Sequence, residues 1–205
     1  MREVIAPLLR GMLYDGRRRF VVFSEREAPE GDNVLKLDRA PAVGEEGLSE
    51  LLAEAVGAFE RDRGSLPTLV YLPGVGSFGV GESYELARQR SEGNLAAEGF
   101  HRPTRPGRRE RRGAIMEGRA AVVTGGAQGF GAQIVRGLVE GGAVVAVADL
   151  NLEGAESYCE ELNRRFGRTV AFPVAVDVSK EESVEALVSA VVSLFGGIDL
   201  FVSNA

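Results

Sequence analysis

The run Val122-Val123-Thr124-Gly125-Gly126-Ala127-Gln128-Gly129-Phe130-Gly131 carries the strongest chemical signal in the chain. It is an apolar strand entering a turn of the pattern T-G-x-x-x-G-x-G, with a helix expected beyond. Glycines at this spacing let backbone approach a pyrophosphate closely, and the following helix presents its free N–H groups to it. Thr124, Gly125, Gln128, Gly129, Phe130 and Gly131 are therefore candidate phosphate- and cofactor-contacting residues.

A second signal lies about 18 residues past Gly131, where Asp149 ends the apolar stretch Val147-Ala148-Asp149-Leu150. An acid at that distance meets the ribose hydroxyls of a dinucleotide. It accepts from a 2′-OH and repels a 2′-phosphate, and no arginine stands beside it, so NAD is favoured over NADP. Asn151 could also reach the adenosine end. Two further strand-like stretches end in Asp177-Val178 and in Ser203-Asn204-Ala205. Ligands of an open parallel sheet sit beyond the carboxyl ends of its strands, so Leu150, Asp177, Val178, Asn204 and Ala205 complete the candidate site. Asp177 has a second reading, as the cap of a helix beginning near Ser179, where Ser179 competes for the same role.

The elements that must position these residues follow from periodicity. From Gly118 onward, strands are expected at 120–123, 144–148, 170–176 and 200–202, and helices at 133–141, 152–166 and 181–195. Strands alternating with helices of this length define an α/β fold, a doubly wound parallel Rossmann sheet with right-handed crossovers. The front of the chain reads as a smaller α/β piece. Helices are expected at 3–13 (restricted by Pro7), 48–59 and about 83–90, with strands at 20–23, 34–37 and 68–72. The chain divides accordingly into 1–99, a linker at 100–116, and 117–205.

The linker changes character sharply. His101 to Gly113 holds six arginines among prolines and glycines, with almost nothing apolar. Such a stretch cannot build a core. With no aromatic residues interleaved, it reads as a solvated linker rather than a nucleic-acid patch. The whole chain has 205 residues, 44% of them hydrophobic, and a net charge of -6. That balance argues against a general nucleic-acid binder, which needs cations in excess. No apolar run approaches the length of a membrane span, and the N-terminus lacks a signal-peptide profile. The single cysteine, Cys159, forbids an internal disulfide and points to a reducing, cytoplasmic compartment.

Thr124-Gly-x-x-x-Gly-x-Gly131, Asp149, Asp177-Val178 and Ser203-Asn204-Ala205 together resemble the ordered landmarks of the short-chain dehydrogenase/reductases, over residues 117–205. In that family the last motif is N-A-G or N-N-A-G; here Ser203 replaces the first Asn. The resemblance implies that Gly125, Gly129 and Gly131 line the pyrophosphate, Asp149 the adenosine ribose and Asp177 the adenine, while Asn204 supports the cofactor side. It further implies hydride transfer between a nicotinamide and a secondary alcohol or carbonyl of a small molecule, in a homo-oligomer. Family members use a Ser and a Tyr-x-x-x-Lys pair for proton movement. Tyr14, Tyr71, Tyr84 and Tyr158 are followed at that spacing by Arg18, Val75, Arg88 and Leu162. No catalytic residue is therefore assigned, and the chain reads as the cofactor-binding part of such an enzyme, cut ahead of its catalytic half. The strand at 200–202 should then lie near the middle of a complete sheet, and these residues expressed alone are expected to aggregate or bind NAD poorly. A second reading, from another class, is a non-catalytic dinucleotide-binding sensor or scaffold.

Gly74-Val75-Gly76-Ser77-Phe78-Gly79 matches G-x-G-x-x-G literally, yet no strand ending in an acid follows at the required distance. It is read as a decoy. The stretch Val70 to Gly81 resembles instead a late strand-and-hairpin segment of class II aldolase/adducin-like domains. Those domains precede a short-chain dehydrogenase in bifunctional sugar-phosphate proteins, which suggests a sugar-derived substrate. Class II aldolases hold zinc with several histidines. His101 is the only histidine here and falls in the linker, so no metal site is expected.

Overall fold

Strands and amphipathic helices of this sequence bury their apolar faces in separate cores for its two units. The computed structural model describes residues 1–14, 18–38, 45–95 and 115–205, and the chain falls into the units Met1–Arg109 and Glu110–Ala205. Most of the expected linker, with His101 and its arginines, lies outside the described residues. Met116, placed in that linker by its sequence, instead packs half-buried against the second core, and its N–H donates to Gly141 O at 2.8 Å.

The first unit contains α1 (Arg2–Met12), β1 (Phe20–Ser24), β2 (Val34–Lys36), α2 (Glu45–Arg63), β3 (Leu69–Leu72), β4 (Gly76–Gly81) and α3 (Tyr84–Ser91). Its sheet has the order β1-β4-β3-β2. β4 runs antiparallel to both neighbours, and β2 runs parallel to β3. Helical spacing places Ile5 and Leu9 of α1, and Leu48, Leu52 and Val56 of α2, in one core with Val21, Val70, Phe78 and Val80. Pro7 sits inside α1 without ending it.

α3 packs on β4 at very close range. A Cβ on Gly79 would stand 2.1 Å from Ala87 O and 2.2 Å from Ser91 N, and one on Gly81 would stand 2.6 Å from Ala87 N. The literal G-x-G-x-x-G match is therefore a hairpin turn, with Gly74 at φ 75, followed by a strand whose glycines admit a helix. Arg19, almost wholly buried, pairs with Glu82 at 2.8 Å beside this contact.

The second unit contains β5 (Ala120–Thr124), α4 (Gly129–Glu140), β6 (Val144–Asp149), α5 (Leu152–Phe166), β7 (Ala171–Ala175), α6 (Glu181–Phe195) and β8 (Leu200–Val202). All pairings are parallel, in the order β7-β6-β5-β8. Relative to the chain this is third-second-first-fourth, the order of a Rossmann half-sheet with its reversal between β5 and β8. β5 and β6 are buried on both faces, as their unbroken Ala/Val runs require. α4 begins four residues ahead of the expected position, because the glycines of the turn also form its first turn. Among the described residues, no helix is long and apolar enough to cross a membrane.

Candidate functional site

The sheet reverses direction of growth between β5 and β8, so their carboxyl ends open a crevice. Three glycines shape its wall. Gly125 and Gly129 adopt φ +62 and +58, conformations that L side chains rarely adopt. Gly131 is needed for a different reason. A Cβ there would lie 1.9 Å from Gly125 O, so the first turn of α4 can seat against the loop only without one. A Cβ on Gly129 would meet nothing within 4 Å, so the loop faces open space at that point.

Asp149 is buried at the end of β6 and tied at both oxygens. Oδ2 accepts from Ala127 N–H and Oδ1 from Asn151 N–H, each at 3.0 Å. The carboxylate thus clamps the glycine loop to the start of α5. Each oxygen keeps a further lone pair for a ligand hydroxyl. Asn151 is engaged as the N-cap of α5, its Oδ1 accepting from Gly154 N–H at 3.1 Å, rather than extended toward an adenosine.

Asp177 behaves differently. Its Oδ1 accepts from Ser179 N–H at 3.1 Å and from Ser179 Oγ–H at 2.6 Å, and Oδ2 pairs with Lys180 Nζ at 2.9 Å. The Ser179 hydroxyl first, then Lys180, hold its carboxyl down at about 2. Lys180 is the N-cap position of α6 and makes no side-chain cap bond. Asp177 therefore orders the turn ahead of the helix instead of capping it.

Thr124 and Asn204 lock β5 to β8. Thr124 Oγ1 accepts from Asn204 N–H at 3.1 Å, and Asn204 Nδ2 donates to Thr124 O at 3.2 Å and Gly125 O at 3.1 Å. Thr124 is itself buried, behind the loop rather than on the crevice surface.

The crevice holds a cavity of about 180 Å³, lined by Gly125, Asp149, Leu150, Val176, Asp177, Val178 and Ala205. Six of these are residues singled out by sequence; Val176 is not, although its place beside Asp177 at a strand end was a usable signal. Thr124, Gln128, Gly129, Phe130, Gly131 and Asn204 do not line this cavity. Phe130 projects from the start of α4 and is 86% exposed, and Leu150 is 75% exposed. Ala127, which anchors Asp149 through its backbone, carries no signal in its side chain. Among the described residues, no group of His, Cys, Asp or Glu is arranged to hold a metal ion. Tyr158 Oη donates to Ala132 O at 2.6 Å, away from the crevice.

A parallel sheet of this order, with a glycine loop and an acid at adjacent strand ends, defines a Rossmann-type nucleotide-binding half. The family model described as short chain dehydrogenase matches residues 119–205. Residues 119–205 are part of a short-chain dehydrogenase domain. The chain is 51% identical over 85 residues to 4-formylbenzenesulfonate dehydrogenase of Comamonas testosteroni, covering 42% of this chain and 33% of that protein. It is 41% identical over 87 residues to the uncharacterized oxidoreductase YuxG of Bacillus subtilis, covering 42% of this chain and 13% of the relative. A crystal structure of sorbitol-6-phosphate 2-dehydrogenase SrlD from Erwinia amylovora is 46% identical, with a TM-score of 0.41, over 42% of this chain and 33% of that one. The chain thus spans about a third or less of the length of these relatives.

Proposed function

We infer that the second unit binds the adenosine diphosphate part of a nicotinamide dinucleotide, on behalf of a short-chain-type oxidoreductase. The observation that carries this reading is the clamped Asp149 carboxylate, fixed by two backbone N–H groups with lone pairs left toward the crevice. In this reading Asp149 accepts from the adenosine ribose hydroxyls, and Leu150 and Val178 flank the adenine with Asp177 at its edge. Gly125, Gly129 and the N–H groups at the start of α4, between Gln128 and Gly131, face the pyrophosphate. Asn204 and Thr124 hold the loop in shape. The open space at Gly129 fits a phosphate, which needs backbone approach without a side chain.

NAD is favoured over NADP. Asp149 lines the cavity with no cationic side chain against it among the described residues, whereas Asp177 is offset by Lys180. A 2′-phosphate at the ribose would therefore meet the like charge of Asp149. When bound, the nicotinamide supplies or accepts the hydride exchanged with a secondary alcohol or carbonyl. The sugar-derived substrate class is supported by the order of the chain, with a hairpin-bearing unit ahead of the dehydrogenase part. The small share of the Bacillus relative that the match covers leaves room for such a fusion. A cytoplasmic setting is supported only by cysteine usage, the chain having the single cysteine Cys159 and so no internal disulfide.

The test is a calorimetric titration of the chain with NAD and with NADP. With β8 at an open sheet edge these residues alone are expected to bind poorly, so the titration is run at high ligand concentration. There NAD is expected to bind at least about tenfold more tightly than NADP, the scale of one unfavourable charge contact. Equal or tighter binding of NADP would overturn the cofactor preference, and binding of neither even at high concentration would overturn the site.

A further inference from the structure

We propose that Tyr158 is a positioning residue for the pyrophosphate: from α5 it braces the first turn of α4, fixing the backbone that a phosphate would meet. The proposal rests on the functional reading above. Tyr158 lies outside the cavity lining and touches no candidate ligand position. Its hydroxyl reaches across to α4 and donates to Ala132 O at 2.6 Å. Ala132 is the fourth residue of α4, and its own N–H donates to Gln128 O at 3.1 Å. The braced peptide and the entry to the helix therefore belong to one hydrogen-bonded turn.

That turn is constrained from its other side as well. Gly131 seats against Gly125 O so closely that even a methyl group is excluded, and Asn204 Nδ2 lies 2.8 Å from the same Cβ position. Tyr158 closes the remaining direction. Its half-buried phenol packs with the core of the second unit. Burial, and then the Glu161 carboxylate, raise its pKa, so it remains a donor throughout the neutral range.

A natural control joins the same two helices farther from the loop. Arg165 Nη2 pairs with Glu140 Oε1 at 3.6 Å, with both side chains about half exposed. Exposed pairs of this kind contribute little and are screened by salt. The two links differ in where they act: the Arg165 pair meets the far end of α4, whereas the hydroxyl of Tyr158 meets the turn that faces the phosphate.

The experiment compares Tyr158→Phe, which deletes only the hydroxyl, with Arg165→Gln. Each variant is titrated with adenosine and with ADP-ribose, and amide exchange is followed over residues 132–136, the first of α4 whose N–H groups are bonded within the helix. Tyr158→Phe is expected to weaken ADP-ribose about three- to tenfold, the worth of one hydrogen bond, while adenosine stays within about twofold. Exchange should quicken over 132–136 in Tyr158→Phe and remain unchanged in Arg165→Gln. Equal losses for both ligands, an unchanged ADP-ribose affinity, or unchanged exchange at 132–136 would overturn the brace while leaving the binding site intact. Failure of the wild-type chain to bind either ligand would overturn the functional reading, and the brace with it.

Discussion

The segments Gly74 to Gly81 and Gly125 to Gly131 are both glycine-rich, and both follow a strand, but their backbones face different partners. In the first, the strand ladder engages the backbone on both sides, with β1 on one and β3 on the other. Its glycines are thin spots through which α3 approaches. In the second, the glycines leave the sheet and enter a helix, so the N–H groups of the first helical turn have no partner within it. The phosphate-binding character of a glycine loop therefore comes from backbone donors left over at a helix start. Glycine content alone only permits close approach, and here a helix takes that opening in one place while the other remains free for a ligand.

The largest effects should come from adding one methyl group to each segment. Gly131→Ala places a Cβ against Gly125 O and is expected to cost about 3 kcal/mol and to remove adenine-nucleotide binding. Gly79→Ala meets backbone equally closely and should cost a similar amount in the first unit, leaving nucleotide affinity alone. Cys159 is the only cysteine of the chain and lies buried in the second unit, so its alkylation rate distinguishes the two variants. Labelling should speed up in Gly131→Ala and stay slow in Gly79→Ala. Loss of nucleotide binding in Gly79→Ala would break the comparison.

Asp149→Asn should come next. The amide cannot accept at both positions, so a buried N–H, of Ala127 or Asn151, faces another donor, at about 2 kcal/mol. Chemical denaturation reads the loss, and a stability equal to wild type would show that the clamp is not needed. Gly129→Ala should cost only about 1 kcal/mol, since its φ of +58 is disfavoured for alanine but no neighbour is struck. Its ADP-ribose affinity should fall by more than its adenosine affinity, and equal losses would remove Gly129 from the phosphate wall.

The smallest effect belongs to Asp177. Its carboxyl titrates at about 2, against 3.8 for an ordinary aspartate. A depressed pKa stabilises the fold above the ordinary value, and the gain is lost as pH falls through the lowered one. Asp177→Asn should therefore flatten the acid limb of melting temperature between about pH 4 and 2. An unchanged acid limb would show that the Ser179 and Lys180 contacts do not persist in solution.

The helices of the second unit were legible where they carry their own punctuation. α5 begins at an asparagine cap, and Gly167 and Gly196 end α5 and α6 in the left-handed conformation, at the expected residues. α4 was read short because glycine is a poor helix former and the loop conceals the start of the helix. In the first unit three of the four strands were visible, while β4 was implied only by the resemblance to a strand-and-hairpin segment. The strand order was hidden because β1 pairs with β4 across more than 50 residues of chain. The alternation of Ser77, Gly79 and Gly81 with Phe78 and Val80 did carry a readable message: one face of β4 is small and the other large. Most cavity-lining residues could be named from strand ends. What anchors Asp149 could not, because its partners are main-chain amides that exist wherever the chain happens to turn.

The Thr124–Asn204 hydrogen bond joins groups 80 positions apart in sequence. Closing so long a loop carries an entropic cost that local helices and neighbouring strands do not bear. The glycine loop can form early from nearby residues, whereas the wall that Ala205 contributes must await the arrival of β8. Ligand competence should accordingly be a late event in refolding, and a nucleotide added to a refolding chain would report when β8 docks rather than when the chain collapses.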